Sequence, residues 1–238
     1  MPGISVILPL YRTADVFEEL YARLCAVLDP EPFEIVAVDD ACPAGSGATL
    51  AAIASRDSRV VAIHLPANAG QQHAVWRGLR QARGQRIVIM DADLQDRPED
   101  IPALLAALDT HRVHAAFAGR RGAYQAASRM ASSAVFKRLV HLIAGVPPDA
   151  GSFVAITRTM ADAVLRLRVR HPYMLALIGA TGLPVLSIPI PRSSRPSGRS
   201  AYSEWARLRF ACRGLRTALA TRLQNTRIQN RGTPWIPN

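Results

Sequence analysis

One stretch of the sequence decides the fold: Arg86-Ile-Val-Ile-Met-Asp91-Ala-Asp93-Leu-Gln95-Asp96-Arg97-Pro98-Glu99-Asp100. Its apolar run, residues 87 to 90, leads into three carboxylates and one amide within six residues. Proline followed by two acids is typical of the start of a helix. The stretch therefore predicts a buried strand that delivers acids at its carboxyl end, with a helix behind it. In an open α/β sheet, ligands bind at that end of the strands.

The spacing of the acids indicates a metal site. Two aspartates one residue apart, here Asp91 and Asp93, can chelate a hard cation that in turn holds phosphate groups. Gln95 lies within reach to add an oxygen. A pair of this kind is also common among solvated loop acids, which is the alternative interpretation. The buried strand in front of it favours a site for Mg²⁺ or Mn²⁺ and a nucleotide diphosphate.

The same order of strand, polar residues and helix recurs along the chain. Further strands are predicted at residues 4–9, 33–38, 59–65, 113–118, 153–156 and 184–190. Pro189 places the last of these at an edge, because proline lacks the amide that a central strand needs. After Thr13, a candidate helix cap, apolar residues recur at intervals of three and four. Strands alternating with helices predict an α/β fold with a doubly wound, mainly parallel sheet.

The second predicted strand also ends in acids, Asp39 and Asp40. One interpretation is a pair of turn residues that cap the next helix. The other is a carboxylate that accepts hydrogen bonds from a base or a ribose hydroxyl, and it is favoured because both strands deliver their acids to the same sheet edge. A glycine-rich dinucleotide fingerprint and a P-loop are both missing, and Lys137 is the only lysine. These absences argue against a dehydrogenase and a P-loop kinase.

Positive charge is concentrated at the end of the chain. The formal net charge is +11, and residues 192–238 contain ten arginines and a single acid. Such a block attracts nucleic acid, an anionic membrane surface or phosphorylated substrates. An apolar stripe over residues 202–223 predicts a basic amphipathic helix lying in an anionic membrane interface. We therefore expect one catalytic domain in residues 1–200, with the helix and a mobile tail in residues 201–238.

The chain contains no run near the roughly 20 apolar residues of a membrane-spanning helix, and its start lacks a signal-peptide pattern. We expect a cytoplasmic protein that associates peripherally with the inner face of the membrane. A homo-oligomer or a membrane-protein partner stays open.

Four segments, taken in order, resemble family 2 glycosyltransferases with the GT-A fold: Val6-Ile-Leu-Pro9-Leu-Tyr11, Val36-Ala-Val-Asp39-Asp40, Asn68-Ala-Gly70-Gln71 and Met90-Asp-Ala-Asp-Leu-Gln-Asp96-Arg-Pro98-Glu99. More narrowly, they resemble the polyprenyl-phosphate branch typified by dolichyl-phosphate mannose synthase. The last segment is far more specific to that branch than an isolated D-x-D. The resemblance covers roughly residues 4 to 210.

The resemblance implies a role for each matching position. The residues that would cradle the nucleoside and donor are Pro9, Tyr11, Asp39, Asp40 and Gln71. The residues that would face the metal and the diphosphate are Asp91, Asp93 and Gln95. Phosphate-binding arginines would be Arg120 and Arg129, joined by Arg199 in a closing loop. Asp149 would lie close to the acceptor, and with Asp93 and Arg120 it completes the implied catalytic set.

The sequence departs from the family pattern in two places. Arg12-Thr13 follows the tyrosine where the family usually has Asn-Glu, and Ala201 stands where the closing loop usually has a lysine. Arg199 is the candidate substitute for that lysine. Many relatives also carry membrane-spanning helices, so attachment of this chain would be peripheral.

The function implied is an inverting, metal-dependent transfer of a sugar from a nucleotide-diphosphate donor to a polyprenyl phosphate. One alternative is a family 2 transferase acting on a saccharide hydroxyl in cell-surface polysaccharide synthesis, with Asp149 as the base. The other is a non-enzymatic nucleic-acid-binding protein that uses the arginine-rich end. That alternative is disfavoured, because aromatic residues are only 6% of the chain and the acidic sheet edge would be unexplained.

Overall fold

The computed structural model describes residues 2–121 and 145–191. The strands in these ranges are β1 (Ile4–Leu10), β2 (Phe33–Asp39), β3 (Val60–His64), β4 (Arg86–Ile89), β5 (Ala115–Arg121), β6 (Val154–Thr157) and β7 (Val185–Pro191). The helices are α1 (Ala14–Leu28), α2 (Ser46–Arg56), α3 (Gln71–Gln81), α4 (Ile101–Thr110), α5 (Arg158–Leu165) and α6 (Met174–Ala180). A 3₁₀ turn, Pro98–Asp100, leads into α4. Each predicted strand is present, with bounds shifted by a few residues.

The seven strands form one sheet in the order β3-β2-β1-β4-β6-β5-β7. Strands β1 to β4 are parallel to one another, and β7 is parallel to β5. β6 runs antiparallel between β4 and β5. The doubly wound, mainly parallel sheet is thus confirmed, and β7 with Pro189 lies at its border as predicted.

Helices cover both faces of the sheet. On one face, α1, α2 and α4 pack over a core that includes all four apolar residues of the predicted α1 stripe, Phe17, Leu20, Leu24 and Leu28. On the other face, α3, α5 and α6 pack over a second core. Thr13 precedes α1, but its hydroxyl makes no capping hydrogen bond. Its backbone N–H instead donates to Ser46 Oγ at 3.1 Å, so this residue joins α1 to α2.

The crossovers diverge at β1 and β4. β1 pairs with β2 on one side and with β4 on the other, so the connections leave these two neighbours in opposite directions. Their carboxyl ends border the crevice where ligands bind in open α/β sheets. Left-handed backbone follows three strands at this edge, at Arg12 (φ 57°), Ala41 (φ 50°) and Leu94 (φ 60°). Such conformations are uncommon outside glycine and cluster at functional sites.

A buried carboxylate anchors the opposite edge. Glu34 is 2% exposed and accepts hydrogen bonds from Ser5 Oγ at 2.7 Å and from the Arg83 N–H at 2.6 Å. Two further bonds come from the Arg83 guanidinium at 2.7 and 2.9 Å. The Gly84 N–H donates to Ser5 Oγ at 2.7 Å. The cluster fastens the turn between α3 and β4 to the starts of β1 and β2.

In the part of the chain that the structure describes, no helix is long and apolar enough to cross a membrane. The basic helix and the tail expected in residues 201–238 lie outside that part.

Candidate active site at the carboxyl ends of the strands

The side chain of Asp91 joins three elements at the crevice. It lies just after β4, and its Oδ1 accepts a hydrogen bond from Gln71 Nε2 at 2.5 Å. Its Oδ2 accepts one from Ser152 Oγ at 2.9 Å. Gln71 begins α3 and Ser152 lies just before β6. The carboxylate is therefore oriented from both sides, by α3 and by the residue just before β6.

Asp40 shapes the loop that presents Gln71. Asp40 is 3% exposed, and its two oxygens accept the backbone N–H groups of Ala69 at 2.7 Å and Gly70 at 2.8 Å. Its carbonyl accepts from Asn68 Nδ2 at 3.2 Å. Gly70 has φ +91°, which L side chains rarely adopt. The structure thus adds a positioning role, in which the carboxylate of Asp40 holds the start of α3, to the nucleoside contact implied by the resemblance.

Asp39 closes β2 beside a second turn. It is 7% exposed, and its Oδ1 accepts the Cys42 N–H at 3.2 Å. Its Oδ2 lies 3.5 Å from His64 Nδ1. A Cβ added at Gly47 would lie 2.7 Å from that same oxygen, so the first turn of α2 must approach closely. Asp39 is thus fixed at the carboxyl end of β2, and its contact with a nucleoside stays a prediction.

Asp93 and Gln95 follow Asp91 in a tight turn. Asp93 is half-buried, and its Oδ1 accepts the Gln95 N–H at 3.2 Å, with Leu94 between them in left-handed backbone. Among the residues in 2–121 and 145–191, no group of three or more His, Cys, Asp or Glu side chains is arranged to hold a metal. The side-chain oxygens of Asp91, Asp93 and Gln95 fit Mg²⁺ or Mn²⁺, which proteins often bind through one or two carboxylates together with substrate phosphates. The assignment of Asp91, Asp93 and Gln95 as ligands stays a prediction.

Asp149 lies against the end of β5. A Cβ added at Gly119 would be 2.3 Å from Asp149 Oδ2 and 2.4 Å from Ser187 Oγ. Glycine at this position is therefore what allows the carboxylate to rest on the strand. Arg120 follows in β5, opposite Ile190 of β7. The structure thus brings Asp149 to the strand that carries Arg120, and their role on the acceptor side stays a prediction.

The end of β1 presents an aromatic ring and a cation. Tyr11 is 40% exposed, and the guanidinium carbon of Arg12 lies 5.6 Å from its ring centroid. Pro9, two residues earlier, is half-buried within β1. An exposed aromatic face can stack on a nucleobase. The arginine that departs from the family pattern therefore lies at the predicted nucleoside position.

Sequence reasoning missed two polar contacts here. No role was predicted for Ser152 from the sequence, because nothing in its spacing reveals a bond to a residue 61 positions away. No role was predicted for Cys42 either, yet its sulfur accepts from the N–H groups of Arg12 and Ala44 at 3.0 and 3.4 Å and from Ser46 Oγ at 3.3 Å. Burial raises the pKa of the thiol, but these hydrogen bonds outweigh it and the pKa is lowered overall.

Two predicted phosphate-binding residues, Arg129 and Arg199, lie outside the described residues. Their placement at the site stays a prediction.

A family model described as glycosyl transferase family 2 matches residues 5–162 of the chain. The chain belongs to this family. The match includes β1 to β6 and therefore every carboxylate described above.

Curated relatives carry related names. An uncharacterized glycosyltransferase of Bacillus subtilis is 29% identical over 219 residues, which cover 90% of this family 2 chain and 67% of the relative. The undecaprenyl-phosphate 4-deoxy-4-formamido-L-arabinose transferase of Pseudomonas fluorescens is 33% identical over 206 residues. That alignment covers 84% of this chain and 60% of the relative. The chain thus spans less than two thirds of the length of this named transferase.

Solved structures agree with the fold. A mannosyltransferase from Pyrobaculum calidifontis, in complex with GDP-Man and Mn²⁺, matches with a TM-score of 0.61 and 17% identity. The match covers 98% of this chain and 76% of the other. Mannosyl-3-phosphoglycerate synthase from Rubrobacter xylanophilus matches with a TM-score of 0.65 and 17% identity over 99% and 79% of the two chains. These likenesses establish the GT-A fold of this family 2 chain.

Proposed function

We propose that this chain is an inverting glycosyltransferase that moves a sugar from a nucleotide-diphosphate donor to a polyprenyl phosphate. The observation that carries the proposal is the Asp91 carboxylate, held at the crevice between Gln71 of α3 and Ser152 beside β6. A group placed there contacts a donor on one side and an acceptor on the other. The names of the curated relatives, undecaprenyl-phosphate sugar transferases, support a lipid phosphate as the acceptor.

In the proposed reaction, a phosphate oxygen of the acceptor forms a bond to the anomeric carbon of the sugar. The bond from that carbon to the donor diphosphate breaks, and the leaving nucleoside diphosphate keeps the electron pair. An acceptor phosphate is already anionic near neutral pH, so no strong general base is needed. Asp149, resting on Gly119, positions the acceptor. Holding both reactants in line supplies much of the rate enhancement.

Different residues of the chain bind different parts of the donor. Tyr11 and Asp39 face the nucleoside, while Asp91 and Asp93 face the diphosphate. A divalent cation bound there would neutralise the charge that develops on the leaving diphosphate. Gln71 and Ser152 hold Asp91 in one orientation before the donor arrives. Such preorganisation lowers the cost of reorganising the site during the reaction.

We also propose that the protein works at the inner face of the membrane as a peripheral protein. The supporting observations are the +11 formal charge and the ten arginines in residues 192–238. A phosphate on a membrane-embedded lipid can be reached only by a site held close to the headgroups.

Replacement of Asp93 by alanine tests the proposed metal and donor site. We expect Asp93→Ala to abolish metal-dependent transfer, measured with radiolabelled nucleotide sugars and short-chain polyprenyl phosphate in the presence of Mn²⁺. Asp109→Ala is the matched control, because the Asp109 side chain is 74% exposed on α4. Full activity of the Asp93 variant with excess chelator present would contradict the proposal.

The acceptor is tested in the same assay. Labelled sugar should appear on short-chain polyprenyl phosphate and not on oligosaccharides. Transfer to oligosaccharides alone would instead identify a saccharide-specific member of the family.

A further inference from the structure

A basic loop joins α5 to α6, and we call residues 166–171 the arginine loop. Arg166, Arg168 and Arg170 are exposed, whereas Leu167 is 6% exposed and Val169 is half-buried. Because apolar residues alternate with the arginines and are covered by the protein, the three cations lie on the solvent side.

Among the described residues, two arginines of this loop, Arg166 and Arg170, differ from other basic positions in having no acidic partner. Arg23 pairs with Glu99, Arg59 with Asp57, and Arg86 with Glu31. By contrast, no acid occurs in the sequence from residue 163 to residue 203. The preceding acid, Asp162, lies 3.8 Å from Arg158. Within residues 2–121 and 145–191, neither Arg166 nor Arg170 makes an ion pair or a side-chain hydrogen bond.

The arginine loop lies beside the candidate active site. The ring of His171 contacts that of His73 in the first turn of α3, with centroids 6.1 Å apart and an interplanar angle of 87°. The Met174 N–H, which begins α6, donates to Gln72 Oε1 at 2.8 Å. Gln72 follows Gln71, the donor to Asp91. The loop therefore borders the edge of the sheet to which substrates must come.

We propose that the arginine loop docks onto the anionic phospholipid headgroups of a membrane and holds the active edge at the bilayer surface. The inference rests on the proposed function, since only a lipid-linked acceptor requires that position. Guanidinium groups bind phosphodiesters through paired hydrogen bonds, and each arginine near an anionic membrane adds attraction. A single-stranded nucleic acid would need stacking platforms. The aromatic residue that follows the loop, Tyr173, is 8% exposed and offers none.

Vesicle sedimentation of the full chain tests the docking. The test variant is R166Q/R170Q, and the matched control is R80Q/R112Q. The control removes two exposed arginines near the opposite sheet edge, one in the last turn of α3 and one just before β5. The probes are phosphatidylcholine vesicles with and without phosphatidylglycerol. We expect R166Q/R170Q to partition about 10- to 30-fold less onto the anionic vesicles, and the control to change by less than about 3-fold.

Equal losses in the two variants would overturn the proposal, because binding would then depend on total charge. No loss in R166Q/R170Q would also overturn it and would leave the arginine-rich end of the chain as the contact. A loss of RNA binding with unchanged vesicle binding would assign the loop to nucleic acid instead. Thermal unfolding checks that both variants fold.

The membrane docking and the proposed sugar transfer can be tested independently of each other. With short-chain polyprenyl phosphate in solution, R166Q/R170Q should transfer sugar as the wild type does, whereas its transfer to long-chain acceptor in anionic vesicles should fall. Absence of transfer by the wild type to either acceptor would contradict the proposed function, while vesicle partition would still report on the docking.

Discussion

Asp91 receives hydrogen bonds from side chains 20 residues before it and 61 residues after it. A carboxylate fixed in this way keeps one rotamer, so its oxygens would present the same geometry to each ligand that enters the crevice. A single side-chain rotamer at the site contributes to the rate of a transferase, because the reacting atoms must be aligned in line before the bond to the leaving group can break.

Removing one of the two donors should reduce the rate more than the stability. We expect Ser152→Ala to lower kcat about 10-fold, with little change in Tm, because one charge-assisted hydrogen bond is lost at the site. Ser152→Thr keeps the hydroxyl and should recover most of the rate. Steady-state kinetics over a range of Mn²⁺ concentrations provides the measurement.

Ser55→Ala is the matched control, since the Ser55 hydroxyl donates only to the Ala52 carbonyl on the exposed side of α2. An unchanged kcat in Ser152→Ala would show that Asp91 does not need this contact.

At the residue scale, the sequence predicted which side chains lie at the sheet edge and missed how they are joined. Asp91 was recognised because an apolar strand precedes it. The contact with Ser152 depends on β6 returning beside β4, and a four-residue apolar run such as Val154–Thr157 does not indicate its direction or its neighbour. The hydrogen bond between Ser152 and Asp91 therefore depends on how β4 and β6 pair, which the spacing of residues in the sequence does not reveal.

The loop before α3 is shaped by a carboxylate from another element. Asp40 accepts two successive backbone N–H groups, of Ala69 and Gly70, just before α3 begins. A negative charge at the amino end of a helix also interacts favourably with the helix dipole. The loop and the first turn of α3 should therefore open together when this carboxylate is removed.

We expect Asp40→Asn to increase hydrogen–deuterium exchange across residues 68–75 and to raise KM for the donor several-fold. The asparagine side chain can accept from only one of the two amides, and its NH₂ group would face the other. The expected loss of stability is about 1–3 kcal/mol. Peptide-level exchange mass spectrometry would locate the change.

Asp15→Asn, in the exposed first turn of α1, is the control for the loss of one carboxylate. Uniformly faster exchange throughout the chain would indicate global destabilisation and would contradict the local coupling.

At the element scale, the spacing of apolar residues and the polar residues between apolar runs predicted the helices and strands well. The three- and four-residue recurrence of Phe17, Leu20, Leu24 and Leu28 marked the buried face of α1. The cap was predicted less accurately, because Thr13 uses its backbone to bond Ser46, a partner from the start of α2. The preference of threonine for capping a helix with its side chain is therefore not realised at Thr13, which instead joins α1 to α2.

Two carboxylates link the stability of the whole molecule to pH. Burial raises the pKa of Glu34, but hydrogen bonds from Ser5 and Arg83 outweigh it and lower the pKa below its ordinary value. A hydrogen bond from Arg23 lowers the pKa of Glu99 to about 2. Both groups have a lower pKa when folded, so their stabilisation is present above their ordinary pKa of 4.5 and is lost as pH falls towards the folded pKa.

We expect Tm to fall steeply on acidification from about pH 4.5 to about pH 2, as measured by calorimetry. Glu34→Gln should lower Tm near neutral pH by about 4–8 °C, which corresponds to about 2 kcal/mol. Its Tm should also depend less on pH in the acid range. Glu31→Gln is the control, because the Glu31 side chain, which pairs with Arg86, is 52% exposed, and its replacement should change stability by less than about 1 kcal/mol. Equal effects of the two replacements would contradict the role of burial.

At the scale of the molecule, the sheet could be predicted because buried strands and short crossovers leave strong signals. The order of the strands beyond β4 could not, since β6 enters antiparallel between β4 and β5. The packing of Asp149 on Gly119, where we propose that the acceptor binds, depends on that insertion.

The border of the sheet bears on how copies of this chain meet one another. β7 carries Pro189, which lacks an amide donor for pairing with a further strand. An unpaired strand edge is otherwise a template on which a second chain can add. Among the strands of residues 2–121 and 145–191, β7 is the outermost on this side, so Pro189, which belongs to no part of the candidate active site, opposes the growth of fibrous aggregates through it.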